Sequence, residues 1–422
     1  ERFRSERFER AAASAVIDLL AVDEAHCISH WGHDFRPDYL ALGDARELLG
    51  EPAVLGLTAT ATRQVRRDII EQLGIPEADI LVGGFERPNL HFEVFEAVGE
   101  RAKLKRLCDV LGRAPSASSV VYCATRRQVE DVSQNLEKRD FVVGSYHAGF
   151  SQRRRRRTQD AFMAGDIPIL VATNAFGMGV DKPDIRSIVH YNMTGSLEAY
   201  YQQAGRAGRD GEPAHCMLLY DPSDRGIHDF FIENSYPKRE IVEAVWRVLS
   251  DEGVGEHELS PDQLAEHVSR KGGGVDVHPW AVETSLKHLE RGGHTRSEWR
   301  GDRHVVQVQD RSRVRGLRID WERLREQREV AEEHLEDVVR YASGKGCRAS
   351  YLLHYFGATP SFGDQCGRCD TCRGEPIDVP IPEQDVAVTD GPETVVQKIL
   401  SGAARAGGSA STIVLAAMLR GS

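Results

Sequence analysis

The sequence predicts an α/β protein that becomes helical partway along the chain, and three observations carry that prediction. Short apolar runs alternate with helical patterns up to about residue 225. From about 226 the periodicity is mainly helical. Half of the eight cysteines then gather late in the chain, as Cys347, Cys366, Cys369 and Cys372.

The strand candidates are Leu19–Val22, Val54–Leu57, Val120–Tyr122, Ile169–Ala172 and Ile188–Tyr191. Apolar on both faces, they suit a parallel sheet covered by helices; a sheet with one wet face would alternate. Arg126–Lys138 and Gln152–Ala164 read as intervening helices, which gives a βαβ order. A break near Gly83–Asn89 can join two such lobes. Beyond it, residues 239–249 form an amphipathic helix, and Ser260-Pro261 reads as an N-cap followed by proline at the first helical position. Pro279–Arg291 makes a third helix closed by Gly292-Gly293, and His294–Val308 alternates about Gly301-Asp302 as a hairpin. Three helices and a hairpin suggest a winged helix. Asp320 caps a long helix with Leu335, Val338, Val339 and Ala342 on one face. A second helix, Arg348–Phe356, ends at Gly357. Residues 375–390 are rich in proline and acids and read as a linker. Val395–Ala404 and Thr412–Leu419 begin a further helical module.

At 422 residues the chain is expected to hold more than one domain. No apolar run approaches the ~18 residues of a membrane span, and the first residues lack the apolar core of a secretory signal. A long, signal-less chain with clustered cysteines implies a reducing compartment, here the cytoplasm, and a metal site in place of disulfides. The net charge of −11 argues at first against nucleic acid, but binding depends on where the cations sit. The run Arg153–Arg157 suits either a solvated helix face or phosphate contacts.

Four strand-end segments carry chemistry. Asp23-Glu24-Ala25-His26 follows the strand Leu19–Val22, and the carboxyl end of a parallel strand faces the ligand in nucleotide-binding sheets. An aspartate there can hold Mg²⁺, and the adjacent glutamate can polarise a water. Thr58-Ala59-Thr60 follows the second strand; its hydroxyls can relay nucleotide state or simply cap the next helix. Residues 172–181 hold Gly177-Met178-Gly179-Val180-Asp181, where glycines let backbone approach a ligand. Last comes Gln202-Gln203-Ala204-Gly205-Arg206-Ala207-Gly208-Arg209. Its two arginines, three apart, can share a helical face. A guanidinium suits a γ-phosphate because it is always charged and forked. At the cysteine cluster, Cys366-Gly367-Arg368-Cys369-Asp370-Thr371-Cys372 offers three thiolates and Cys347 a fourth. Four protein ligands make a closed, structural Zn²⁺ site.

In this order the motifs resemble the core of superfamily 2 helicases. Cys27-Ile28-Ser29-His30-Trp31-Gly32-His33-Asp34-Phe35-Arg36-Pro37 resembles the aromatic-rich loop of the RecQ family of DNA helicases. Tyr146-His147-Ala148-Gly149, Tyr200-Tyr201-Gln202-Gln203 and the zinc cluster point the same way. The resemblance implies two RecA-like lobes with ATP in the cleft between them, the first lobe partial (1–85) and the second at 86–225. A winged-helix-like insertion (226–319), a helical zinc module (320–375) and a linker with the start of a C-terminal winged helix (376–422) would follow. It implies ATP and Mg²⁺ at Asp23, Glu24, His26, Gly179, Asp181, Gln203, Arg206 and Arg209. DNA would meet Trp31, Phe35, Arg36, His147, Thr173 and Phe176. The implied activity is ATP-driven 3′–5′ unwinding in recombination and repair, on single-stranded and partly duplex DNA, alongside repair or single-strand-binding proteins and no membrane.

The sequence departs from the family in two main ways. It contains no Gly-x-x-x-x-Gly-Lys-Ser/Thr loop, so the chain as given is expected to lack ATPase activity. The segment 226–319 also stands between the second lobe and the zinc module, where many relatives run on directly. The rival reading is a non-enzymatic DNA-binding scaffold on a dead helicase core; the retained Asp23, Glu24, Arg206 and Arg209 argue against it. An RNA-remodelling relative is disfavoured by the aromatic loop and the zinc cluster.

Overall fold

The computed structural model describes residues 8, 10, 12 and 15–374, apart from 30, 33, 77, 83, 178–179, 272–276, 302 and 311–313. The linker and terminal helical module read at 376–422 therefore lie outside the described residues, as does Gly179. The chain divides into two compact units. One runs to Pro222 and resumes at Val338, and the other is Ser223–Asp337.

In the first unit β1 (Leu19–Val22) pairs in parallel with β2 (Ala53–Gly56), and α1 (Ala41–Leu48) and α2 (Arg63–Gln72) follow in turn. Thr62 caps α2 through its hydroxyl, which accepts the Val65 amide. Val22, Ala25, Ile28, Val65, Ile69 and Leu73 form the local core. The expectation that these strands are buried on both faces fails here: of β1 only Val22 is buried, and β2 holds no buried residue.

A second sheet is built from β3 (Leu90–Glu96), α3 (Glu100–Leu111), β4 (Ser119–Tyr122), α4 (Arg126–Glu137), β5 (Val143–Tyr146), α5 (Gln152–Ala164), β6 (Ile169–Ala172), β7 (Ser187–His190), α6 (Leu197–Ala204) and β8 (Ala214–Tyr220). Its six strands are all parallel, in the order β3-β8-β7-β4-β6-β5. In β4, β6, β7 and β8 every residue is buried, as expected of a sheet covered on both faces. β3 escapes a sequence reading because Glu93 interrupts it. That carboxylate is buried but paired, to Arg106 at 2.5 Å and His215 at 2.9 Å.

The second unit contains α7 (Arg225–Ser235), α8 (Arg239–Glu252), β9 (Gly255–Glu258), α9 (Pro261–Lys271), α10 (Pro279–Arg291), β10 (Thr295–Arg300) and β11 (Arg303–Val308). Trp246, Val245, Leu264, Val282, Leu286 and Val306 centre its core. Ser260 opens α9 with a reciprocal cap: its hydroxyl accepts the Gln263 amide, and Gln263 Oε1 accepts the Ser260 amide. The hairpin β10–β11 gains a third antiparallel strand, β9, whose Gly-Glu-His-Glu sequence reads as a polar loop. The helix α11 (Trp321–Ser343) starts in this unit and ends in the first. Asp320 caps it by accepting the Arg323 amide. The short helices α12 (Arg348–Tyr355) and α13 (Asp370–Arg373) complete the described chain. No helix among the described residues is long and apolar enough to cross a membrane.

Candidate nucleotide cleft, aromatic loop and metal centre

A cavity of about 940 Å³ opens in the first unit, lined among others by Glu24, Thr58, Thr60, Gly177, Asp181, Arg206 and Arg209. The acidic tetrad follows β1 directly. Glu24 takes a left-handed backbone, φ 49° and ψ 45°, a conformation costly for a residue with a side chain and frequent where function fixes geometry. Asp23 stays exposed, one of its oxygens accepting the Glu24 amide at 2.9 Å. Glu24 Oε2 lies 3.3 Å from His26 Nδ1 but has no hydrogen-bond partner. That ring nitrogen meets Thr58 Oγ1 at 3.0 Å, which ties the tetrad to the threonine segment. Burial and then the neighbouring Asp23 charge push the Glu24 carboxyl above its usual range, while Arg206 pulls it down. His26, buried, is pushed down and so is held neutral.

Arg206 and Arg209 face the same cavity, but not from one helical face. α6 ends at Ala204, and both arginines follow it in a turn. Arg206 is 9% exposed; its Nη1 donates to the Gly177 carbonyl at 2.5 Å, and its Nε has no partner. Arg209 donates to Asp181 Oδ1 at 2.5 Å and the Val180 carbonyl at 3.3 Å. Gly208 sits at φ +54°, and a Cβ there would lie 2.4 Å from Asn89 Nδ2. Arg87 grips this turn from outside, donating to the carbonyls of Gly205, Ala207 and Gly208 at 3.1, 2.9 and 3.0 Å. Asn89 adds bonds to Gly208 and Glu212. In sequence Arg87 and Asn89 look like part of a linker; only the fold brings them to the arginine turn, 118 to 123 residues away.

Other expected residues are placed differently. Gln203 does not line the cavity; its Oε1 accepts from His190 Nε2 at 2.9 Å, and neighbouring Gln202 faces the space. Phe176 is a core residue, 1% exposed, packed edge-on against Tyr146 and Phe162 at 5.2 and 5.8 Å, so its ring cannot stack on a base. Thr173 is buried and its hydroxyl accepts the Ala175 amide. His147 is buried between Glu130, at 3.2 Å, and the Phe150 ring. The aromatic loop leaves Trp31 37% exposed and Phe35 half-buried. It folds back on itself: the Arg36 amide donates to the Cys27 carbonyl at 2.8 Å, and Arg36 holds Asp34 at 2.5 Å. Gly32 makes this possible, since a Cβ there would stand 2.5 Å from the His26 carbonyl oxygen.

The four late cysteines converge, their sulfurs all within 4.8 Å of one another. Cys347 and Cys369 are 3.9 Å apart, close to the ~3.8 Å separating thiolates around one tetrahedral Zn²⁺. Cys347 Sγ also accepts the amides of Ser350 and Cys366, at 3.5 and 3.3 Å, which suits a thiolate. The residues therefore fit structural zinc. His26, Cys27 and Asp34 form a second group with ligating atoms inside the same 4.8 Å limit.

Glu24 of the strand-end tetrad and the two arginines of the turn after α6 thus line one cavity. Residues 102–211 match the helicase conserved C-terminal domain, and residues 308–373 match the RecQ zinc-binding domain. Over 243 residues the chain is 37% identical to the ATP-dependent DNA helicase RecQ of Pasteurella multocida, covering 57% of this chain and 38% of that protein. Against its Bacillus subtilis namesake the identity is 40% over 236 residues, covering 56% and 39%. Against the ATP-dependent helicase wrn-1 of Caenorhabditis elegans it is 40% over 239 residues, covering 55% and 22%. Over these segments the chain is thus similar to RecQ-type DNA helicases, and it spans under half the length of these relatives.

Proposed function

We propose that the protein is an ATP- and Mg²⁺-dependent DNA helicase that moves 3′ to 5′ and acts in DNA recombination and repair in the cytoplasm. The supporting observation is a set of orphaned polar atoms around one cavity. Glu24 Oε2, Thr60 Oγ1 and Arg206 Nε are buried without partners, and all three residues line the same space. Buried polar atoms are normally satisfied, so such a set suits a polar ligand. A nucleoside triphosphate with Mg²⁺ would supply the phosphoryl group and its charge there.

In this reading exposed Asp23 holds the metal ion and Glu24, its proton affinity raised by burial, accepts the proton of the attacking water. Arg206 and Arg209 neutralise charge on the transferring phosphoryl group from the opposite wall; Arg209 exchanges Asp181 for phosphate. His26 and Thr58 link that event to the aromatic loop. Trp31 and Phe35 stack on unpaired bases, at ~1–3 kcal/mol per base, and Arg36 meets the backbone. The Phe176, Thr173 and His147 side chains take no part. The four cysteines hold zinc, and residues 226–319 are a winged-helix module. DNA with single-stranded and duplex parts is the substrate, with single-strand-binding or repair proteins as partners.

The test is ATP hydrolysis by the full-length protein with and without single-stranded DNA. Single-stranded DNA should stimulate it, and Glu24→Gln should lower kcat ~10²- to 10⁴-fold while leaving nucleotide binding in place. Hydrolysis indifferent to DNA, or a Glu24→Gln protein at wild-type rate, sinks the motor reading and leaves a DNA-binding scaffold.

A further inference from the structure

We infer that Tyr355 and Phe356, at the end of the helix that begins on a zinc-cluster cysteine, are positioning residues for Arg206 and Arg209. The inference rests on the arginine roles proposed above and extends them to residues far away in sequence.

Both arginines hang from the C-terminal end of α6, which is only eight residues long. The Gly205 amide donates to the Tyr201 carbonyl and the Arg206 amide to the Gln203 carbonyl, so a shift of α6 moves the arginine turn with it. The zinc module holds α6 at several points beside its contacts to the sheet. Glu198, in its first turn, is 2% exposed. One oxygen accepts the Tyr355 hydroxyl at 2.8 Å, and the other has no partner. Tyr201 packs on Phe356, ring centres 5.0 Å apart, and Phe356 stacks on Phe85, again at 5.0 Å and only 14° from parallel. The Tyr201 hydroxyl closes the triangle by donating to the Phe85 carbonyl. Tyr200, fully buried, meets Tyr341 of α11 with hydroxyls 3.4 Å apart.

The support is itself anchored at the cysteine cluster. Cys347 is the N-cap of α12. Buried Arg348, the first residue of α12, grips Asp370 in the Cys-x-x-Cys loop at 3.1 and 3.2 Å. Asp370 in turn accepts the Val94 amide of β3 at 3.0 Å. One helix thus joins the cluster at its start to α6 at its end. A buried carboxyl group with a single hydroxyl donor makes a stiff contact, because losing the donor leaves a buried polar oxygen with nothing to replace it.

The experiment is a double-mutant cycle in the full-length protein, measuring DNA-stimulated ATP hydrolysis for Tyr355→Phe, Arg206→Ala and the pair, with zinc content and single-stranded DNA affinity alongside. Tyr355→Phe should lower kcat about 5- to 20-fold with KM for ATP within twofold, since the arginines act in the transition state. Zinc stoichiometry and DNA affinity should not change. In the Arg206→Ala background the same substitution should have almost no further effect, as expected for residues acting through one another. A full multiplicative loss in the pair, or an unchanged kcat in Tyr355→Phe, overturns the inference. Should Tyr355→Phe fold poorly, Phe356→Leu carries the same cycle. If Arg206→Ala itself retains wild-type turnover, the arginine roles fail; if only Tyr355→Phe and Phe356→Leu are silent, the positioning claim alone fails.

Discussion

The two walls of the cleft are held by different means. The arginine wall rests on strands whose every residue is buried, and Arg206 itself is 9% exposed. Its geometry is set by backbone: the Gly177 carbonyl accepts from Arg206, and Arg87 clamps three carbonyls of the turn. The carboxylate wall stands on β1 and β2, where most residues are partly or fully exposed. There the geometry combines a left-handed Glu24 and the His26–Thr58 bond with the Ala25 amide donating to the Leu57 carbonyl at 2.8 Å. Packed backbone tolerates less change in side-chain shape than a strand-end turn does. The arginine wall should therefore be the more sensitive to conservative substitution.

The largest expected effect breaks that comparison if it is absent. Arg206→Lys keeps the charge but loses the planar fork that reaches Gly177 and a phosphate together. Turnover in the full-length protein should fall ~10³-fold, close to the loss in Arg206→Ala, measured as kcat for DNA-stimulated ATP hydrolysis. A lysine variant near wild type would mean that charge alone is needed and the packed wall is incidental.

Gly177→Ala asks the same question more finely. A Cβ at this position would lie 2.9 Å from Arg206 Nη2 and 3.3 Å from its Cζ. The guanidinium must give way by a few tenths of an ångström. Turnover should drop by about tenfold, and the melting temperature should stay within ~2 °C, because the clash falls on a side-chain tip. An equal loss of both would show that Gly177 serves folding more than alignment.

These contrasts mark where sequence stopped being informative. β6 and α5 are legible to the residue because strong periodicity coincides with clear ends, as at Ser151, whose hydroxyl caps α5. The cysteine cluster is legible because its spacing alone limits the chemistry. Side-chain direction is not legible. Gln202 and Gln203 are adjacent and identical, yet one faces the cavity and the other serves His190. Phe176 lies in a glycine-rich loop that reads as ligand-facing, but its ring fills the core beside Phe162. β3 and β9 are hidden by charged residues that the fold pairs, Glu93 with Arg106 and Glu256 with Arg300. Arg87 carries no local signal, since its partners lie 118 to 121 residues away.

Acidification separates the walls by sign. Burial pushes His190, beneath the arginine wall, down to about 4 from an ordinary 6.5, and its Nε2–H serves Gln203 of α6. Between these values the unfolded chain binds a proton that the folded one refuses, so stability falls as pH drops from 6.5 toward 4. The loss reaches roughly 3 kcal/mol at the bottom of the window. On the carboxylate wall the sign is opposite. Glu24 is pushed above its ordinary range by burial and Asp23, so taking up a proton relieves the folded state as pH falls. Acid should therefore stop turnover at the carboxylate wall while loosening the protein at the arginine wall. Melting temperature followed from pH 7 to 4 tests this. In His190→Gln, whose amide can still donate to Gln203, the decline should be visibly shallower, and in Glu24→Gln it should be steeper than in wild type. Parallel curves for all three proteins would show that neither group is linked to folding and that the walls differ only in their chemistry.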